Sequence, residues 1–420
     1  MRSDVIIVGG GAAGLFAACE LSKRRICVTV IEPNAKLGRK LRITGKGRCN
    51  VTNNCDIDTV LKNIPRNPRF LYSALNNLSP ADVMDWFESN GVPLKTERGN
   101  RVFPVSDNAN DIADCLVSIA RKYHTQFVRD KVTDLIIENG AVIGVKTVKG
   151  NYFADRVILA TGGVSYPATG STGDGYTFAE KAGHTITNIS PSLIPIICKE
   201  HFICELSGLA LKNITLSLFD SKKKSPIYSE LGEMTFMNYG IAGPLSLSAS
   251  CYMGLENLAG RRYRLEIDLK PGLTPEKLDA RILRDFAETP STPFMESLNR
   301  LLPKVMADVM VDISEIEPMK SCNQVTKEER LYLVKLFKHF EITPTDLRPI
   351  DEAIITRGGV SVKEIFPSTM ESKLIKGLYF TGEIIDCDGF TGGFNLQIAF
   401  ATAYTAVLAI AEDLSYNGKE

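Results

Sequence analysis

Residues Asp4 to Gly14 read DVIIVGGGAAG, and Glu32 closes the next apolar run, CVTVIE. Val5–Val8 reads as a short apolar strand, with Gly9, Gly11 and Gly14 following at G-x-G-x-x-G spacing. Gly9 permits a tight turn, Gly11 lets the backbone approach a pyrophosphate, and Gly14 lets the next helix pack on the strand. Ala12 and Ala13 open that helix, expected over Ala12–Lys23, and its first amides face the phosphates. Glu32 lies about 20 residues beyond the glycines, where a carboxylate accepts bonds from ribose hydroxyls. Strand, glycines, helix, second strand and acid in register predict a bound dinucleotide.

Four more glycine-rich segments carry candidate chemistry. Gly38–Asn53, GRKLRITGKGRCNVTN, is expected as a loop that sets Arg39, Lys40, Arg42, Lys46 and Arg48 among backbone amides. Such a loop suits a pyrophosphate or the negative charge of a reduced flavin. Ala160–Gly175, ATGGVSYPATGSTGDG, runs from a buried strand into glycines that imply close backbone approach to a ligand. Asp174 is expected to start a helix over Gly175–Lys181. In Leu378–Gln397, a strand over Leu378–Thr381 ends at Gly382-Glu383, and Gly392-Gly393 precede a helix beginning near Asn395. That helix N-terminus would stabilise anionic flavin at N1/O2. The fourth segment is Thr356–Val360, TRGGV. Arg48, Tyr166, Arg357 and Asp386, each in one of these segments, are the candidate catalytic side chains.

The elements that position these residues alternate over the first ~190 residues between apolar strands and amphipathic helices, an α/β pattern. Asp107–Lys122 has helical spacing, and Asn139-Gly140 between two β-rich runs, Val132–Glu138 and Ala141–Lys149, predicts a hairpin. From about Ser190 short strands such as Leu193–Cys198, Ile214–Phe219 and Tyr263–Leu269 suggest a small β-barrel or sandwich. Residues 274–341 turn helical, broken by prolines. The α/β pattern resumes near Ala353. The expected architecture is therefore a discontinuous Rossmann-like domain, 1–190 with 355–420, interrupted by a β-rich and partly helical substrate-side insert at 191–354.

Composition excludes other classes. Lys+Arg and Asp+Glu are 49 each, so no net field favours nucleic acid or an anionic membrane. The longest uncharged apolar stretch, Leu396–Ala411, is shorter than the ~20 residues of a membrane span. Ten scattered cysteines without a CxxC pair, and four separated histidines, give no metal motif and suit a reducing cytoplasm. No secretory leader is read ahead of the first strand.

Over essentially its whole length the chain resembles the BaiN/YhiN-like NAD(P)/FAD-dependent oxidoreductases, bacterial flavoproteins with a discontinuous FAD domain and an insert. The motifs that carry the resemblance are VGGGAAG, GRKLRITGKGRCNVTN, NRVFPVSD, ATGGVSYPATGSTGDGY, AGH, GIAGP and LYFTGEIIDCDGFTGGFNLQIA. The resemblance implies FAD held by Gly9, Gly11, Gly14, Glu32 and Lys40. It also places Gly45, Gly47, Arg48, Cys49 and Asn50 near the cofactor, with Thr161, Gly162 and Gly163. Gly382, Glu383, Asp388, Gly393, Asn395 and Leu396 complete the set, and Val132 is implied to meet the adenine. One departure stands out. Where family members show a threonine and a histidine ahead of G-[IL]-S-G-P, this chain has Met237, Asn238 and Ala242. Asn238 cannot shuttle a proton at neutral pH.

The function expected is a FAD-dependent oxidoreductase acting on a small organic substrate held between domain and insert. With one dinucleotide fingerprint, any NAD(P)H must dock transiently at the flavin. Two alternatives remain: a flavin-dependent nucleic-acid-modifying transferase and a non-catalytic FAD-binding redox sensor. The expected partner is a small molecule, with no nucleic acid, membrane or metal.

Overall fold

The computed structural model describes residues 2–254, 258–260 and 262–417. The chain divides into two compact units, Met1–Ser192 with Pro349–Glu420, and Leu193–Arg348.

In the first unit, five parallel strands lie in the order Leu378–Phe380, Val157–Leu159, Val5–Val8, Val28–Ile31 and Gln126–Val128. The inner runs VIIV, VTVI and VIL are buried throughout, as strands covered on both faces must be. Helix Ala12–Lys23 packs against Ala109–Lys122 and against the long helix Phe394–Asn417. Phe16 anchors this layer, with ring centroids 5.0 Å from Trp86 and 5.1 Å from Phe400. By length and composition Phe394–Asn417 could cross a membrane. Here Phe400, Ala403, Val407 and Ile410 are buried inside the unit, so its apolar character serves the core.

The hairpin turn at Asn139-Gly140 takes φ of 51° and 75°, the left-handed pair that a two-residue turn requires. Its second strand ends at Thr147, and a third strand, Asn151–Phe153, extends the sheet. The helix expected from Asp107 begins at Ala109 because the Asn108 side chain caps it, accepting from the Asn110 amide at 3.0 Å.

The second unit holds seven antiparallel strands in the order Phe340–Ile342, Tyr263–Asp268, Ala210–Asp220, Tyr228–Met237, Gly240–Ala242, Ile196–Cys198 and Pro344–Leu347. The first and last of these are separated in the chain by Thr343 alone, so the sheet curls until its edges meet. Helices Pro275–Glu288, Lys304–Ser314 and Lys327–Lys338 follow the sequence pattern. Their prolines start helices as well as break them: Pro275 occupies the first turn and Pro303 the N-cap.

His184 stitches the first unit's periphery. Its Nε2 lies 2.8 Å from Ser372 Oγ, and its ring stands edge-on to Phe380 at 4.8 Å. Burial lowers its pKa below the ordinary 6.5, against an opposing pull from Glu364. Below pH 6.5 the unfolded chain therefore binds a proton that the folded chain refuses, and stability falls with pH through that window. Glu364, kept low despite burial by Thr185 and His184, loses its contribution only in a more acid range. His184→Gln is expected to shrink the drop in Tm between pH 7 and pH 5. Calorimetry across that range checks it, and an unchanged drop would refute the assignment.

Candidate functional site

The carboxyl ends of Val5–Val8, Val157–Leu159 and Leu378–Phe380 open on one cleft, the edge where parallel sheets bind ligands. Gly9, Gly11, Ala12, Ala13 and Glu32 line it from one side, and Thr161, Gly162, Gly382, Glu383, Asn395 and Leu396 from the other. The three fingerprint glycines differ sharply in surroundings. A Cβ on Gly9 (φ +107°) would lie 2.5 Å from the Ala160 carbonyl, and one on Gly14 would lie 2.0 Å from the Gly9 carbonyl. A Cβ on Gly11 would meet nothing within 4 Å, so its backbone faces open space. Gly14 is thus a packing residue, buried in its helix, and Gly11 is the one exposed to a ligand.

The Glu32 carboxylate is fixed at the cleft by three donors. Oε2 accepts from the Gly10 amide at 2.8 Å, and Oε1 accepts from Asn34 N at 3.0 Å and Nδ2 at 2.6 Å. Val132 joins Gly9, Glu32 and Thr161 around a smaller adjoining cavity.

Gly38–Asn53 is not simply a loop. Helix Arg39–Gly47 starts at Gly38 (φ +67°) and is interrupted at Thr44, Gly45 and Lys46, the latter two left-handed. Helical twist then disperses the cations. Arg42 turns to Asp114 at 2.6 Å, while Arg48 grips Glu97 and Asp107 at 2.5 Å and lies 4.2 Å from the Phe103 centroid. Arg48 is therefore held among two acids and an aromatic ring and does not line the cleft. Gly45 and Gly47, with Cys49 and Asn50, shape the turn beside it and do not line the cleft. Burial pushes the Cys49 thiol up to about 12, so it carries no thiolate near neutral pH.

Lys36, Arg39 and Lys40 all line the cleft, and Lys40 reaches its polar floor. Its Nζ donates to Ser165 Oγ at 2.7 Å and to Glu383 Oε2 at 2.6 Å. Glu383 Oε1 accepts from Ser165 Oγ and from the Thr356 amide, both at 2.9 Å. Thr356 Oγ1 in turn accepts from Val164 N at 2.8 Å. A Cβ on Gly163 would sit 2.2 Å from that hydroxyl, so Gly163 makes room for this network and does not border the cleft. Ser165 and Thr356 escaped the sequence reading, although both stand in segments that the glycines flagged.

The loop beyond Glu383 is buried. Asp386, read as catalytic, accepts from Arg66 Nη1 at 2.8 Å, and its carbonyl accepts from Asn67 Nδ2 at 2.6 Å. Those bonds hold the loop in place, and Asp386 does not line the cleft. Asp388 accepts from Ser192 Oγ at 2.7 Å through Oδ2, and burial raises its pKa. Burial also drives Cys387 far above the thiol range. Gly393 (φ +98°) makes its close approach to protein, since a Cβ there would lie 2.3 Å from the Thr52 carbonyl. Asn395 orients the loop, accepting from Gly389 N and donating to Gly389 O, each at 2.8 Å. Tyr166 is half-buried with φ 52°, its ring centroid 5.9 Å from Lys40 Nζ. Arg357 ends strand Ile355–Arg357, paired with Ser190–Ser192. The expected helix start at Gly175 moves to Asp174, whose carboxylate pairs with Lys131 at 2.9 Å.

The cleft has the features a flavin dinucleotide needs. Thr161 Oγ1 and Thr381 Oγ1 are buried at its wall without a hydrogen-bond partner among the described residues, and such groups are costly unless something satisfies them. Bare backbone at Gly11 and a fixed acid at Glu32 stand beside them. No group of three metal-ligating side chains occurs among the described residues.

Comparison with known proteins decides the lineage. Residues 3–409 match the family described as HI0933-like protein Rossmann domain. The chain belongs to this family. A ribosomal RNA dihydrouridine synthase of Haemophilus influenzae is 32% identical over 415 residues, 97% of this chain and 98% of that one. A 3-dehydro-bile acid delta(4,6)-reductase of Clostridium scindens is 28% identical over 408 residues, again 97% and 98%. Among solved structures, 3-ketosteroid delta1-dehydrogenase from Sterolibacterium denitrificans aligns with a TM-score of 0.52 at 14% identity, covering 98% of this chain and all of that one. The protein is a FAD-dependent oxidoreductase.

Two substitutions test the cleft. Glu32→Ala removes the carboxylate expected to accept from a ribose hydroxyl and is expected to weaken FAD retention by about 1–3 kcal/mol, read by fluorescence of released flavin. Gly393→Ala places a side chain on the Thr52 backbone and is expected to lower Tm by several degrees. An unchanged Tm would mean that this approach relaxes without cost.

Proposed function

We propose that this protein reduces a carbon–carbon double bond conjugated to a carbonyl, and that its substrate is a uracil ring in RNA. The observation that carries the reading is the near-full-length likeness to two enzymes with different substrates and one shared bond change. Making dihydrouridine saturates the uracil bond next to a carbonyl, and a delta(4,6)-reductase of a 3-oxo compound saturates bonds conjugated to one. The proposal departs from the small-molecule expectation drawn from balanced charge.

When bound, FAD supplies the two-electron relay between a nicotinamide donor and the alkene. Gly9–Gly14 would take the pyrophosphate, Glu32 the ribose, and Val132 the adenine side. Lys40, held by Glu383 and Ser165, sets a positive charge at the floor, where negative charge on a reduced ring needs an opposing partner. The hydride at one alkene carbon must be matched by a proton at the other. Buried Cys49 and Cys387 are poor sources, and we assign this step to the hydroxyl of Tyr166, whose ring centroid lies 5.9 Å from Lys40 Nζ. A cytoplasmic location suits ten cysteines that form no disulfide among the described residues.

Holoenzyme and NADPH, incubated with ribosomal RNA lacking dihydrouridine and in parallel with a 3-oxo-4,6-diene steroid, test the reading by mass spectrometry. A gain of two hydrogens on a uridine is the expected result. Steroid turnover alone would transfer the assignment to small enones, and turnover of neither would overturn it. Tyr166→Phe should slow alkene reduction at least tenfold while leaving flavin bleaching by NADPH intact.

A further inference from the structure

A groove of ≈ 610 Å³ lies beside the cleft's outer loop, in the same unit, and plays no part in the chemistry above. Its apolar wall is Leu61, Pro68, Tyr72 and Pro367, and its cations are Lys62 and Arg69. Tyr72 is 58% exposed, and Phe366, next to Pro367 in the chain, is 45% exposed. The two aromatic surfaces are brought together by the adjacency of Phe366 to the groove-lining Pro367. Asn67 (φ 52°) and Pro68 create this exposure by forcing a tight turn ahead of the helix Tyr72–Asn77.

The charge is equally one-sided. Lys62 and Arg69 are exposed, and neither makes a side-chain hydrogen bond or an ion pair among the described residues. Lys373 lies with Nζ 5.5 Å from the Phe366 centroid and donates to the Lys363 carbonyl. Asp58 is the single acid at the groove. Exposed aromatic faces beside exposed cations are what an unstacked polynucleotide strand requires: rings for bases and charges for phosphates.

The groove is tied to the reactive edge by short bonds. Arg66 and Asn67 hold Asp386, and the Phe390 amide donates to the Asn63 carbonyl at 2.9 Å. The chain from Asn63 to Tyr72 therefore rests on the loop that runs from Glu383 to Asn395 along the cleft. An enzyme acting on a base must take that base out of its stack, and the neighbouring nucleotides then need a seat. We propose that the groove between Pro68–Tyr72 and Pro367 binds the single-stranded RNA flanking the reacting base. This rests on the uracil reading of the preceding section.

The test is fluorescence anisotropy of FAD-loaded protein with a labelled uridine-rich 12-nucleotide RNA over a salt series. Tyr72→Ala and Phe366→Ala should each weaken binding about fivefold or more, the loss of one base-stacking surface. Lys62→Gln with Arg69→Gln should reduce the slope of log affinity against log salt by about 1.4, two phosphate contacts at roughly 0.7 each. Flavin content, NADPH bleaching and Tm should stay at wild-type values in all three variants. If wild-type protein binds RNA and forms dihydrouridine while the variants bind equally well, the groove assignment falls and the uracil reading stands. If wild-type protein neither binds RNA nor modifies it, both fall together.

Discussion

A parallel strand must find its neighbours through long connections, and that requirement shapes this molecule. Val157–Leu159 has Val5–Val8 on one side, and its other edge is filled only when the chain returns at Leu378. Everything between is free to wander provided it comes back. The second unit, Leu193–Arg348, occupies that freedom, and Ser190–Ser192 pairs with Ile355–Arg357 near its points of departure and return. The same strand order brings Gly9, Thr161 and Gly382, which follow three adjacent strands, to one rim.

Glu383 then acts as the junction of that rim. Through one carboxylate it joins the helix carrying Lys40, the loop carrying Ser165 and the strand carrying Thr356. These partners come from regions that meet only in the folded unit. A bonded floor of this kind gives the cleft a fixed electrostatic character without reorganising when a ligand arrives. The neighbouring acids have other work: Asp386 ties the loop to Arg66, and Asp388 rests on Ser192.

Local chemistry explains what the sequence reveals. Gly9, Gly11 and Gly14 are legible because each answers a steric demand set within a few residues, and Asn139-Gly140 is legible for the same reason. The α/β class follows from the buried apolar runs. Non-local chemistry explains what stays hidden. Arg48 reads as a cofactor cation because its acids, Glu97 and Asp107, lie 49 and 59 residues away. The helix at Arg39–Gly47 is masked by Gly45 and Gly47, which break it before a periodic face develops. Gly393 signals a close approach, but no spacing rule says that Thr52 is what it approaches. Arg66 stands in a stretch with no pattern, and only the fold gives it Asp386. Balanced total charge likewise says nothing about where Lys62 and Arg69 gather.

The wide separation of the cleft's two halves has a consequence during synthesis. Gly9 and Gly382 border the same cleft, yet hundreds of residues must be polymerised between them. At about 5–20 residues per second, the first half waits on the order of 20–70 seconds for its partner. Once Val157–Leu159 has been made, its open edge has no neighbour for the rest of that interval, and the cofactor has nowhere complete to bind. Flavin capture must therefore come late, after translation has supplied the strand that finishes the sheet.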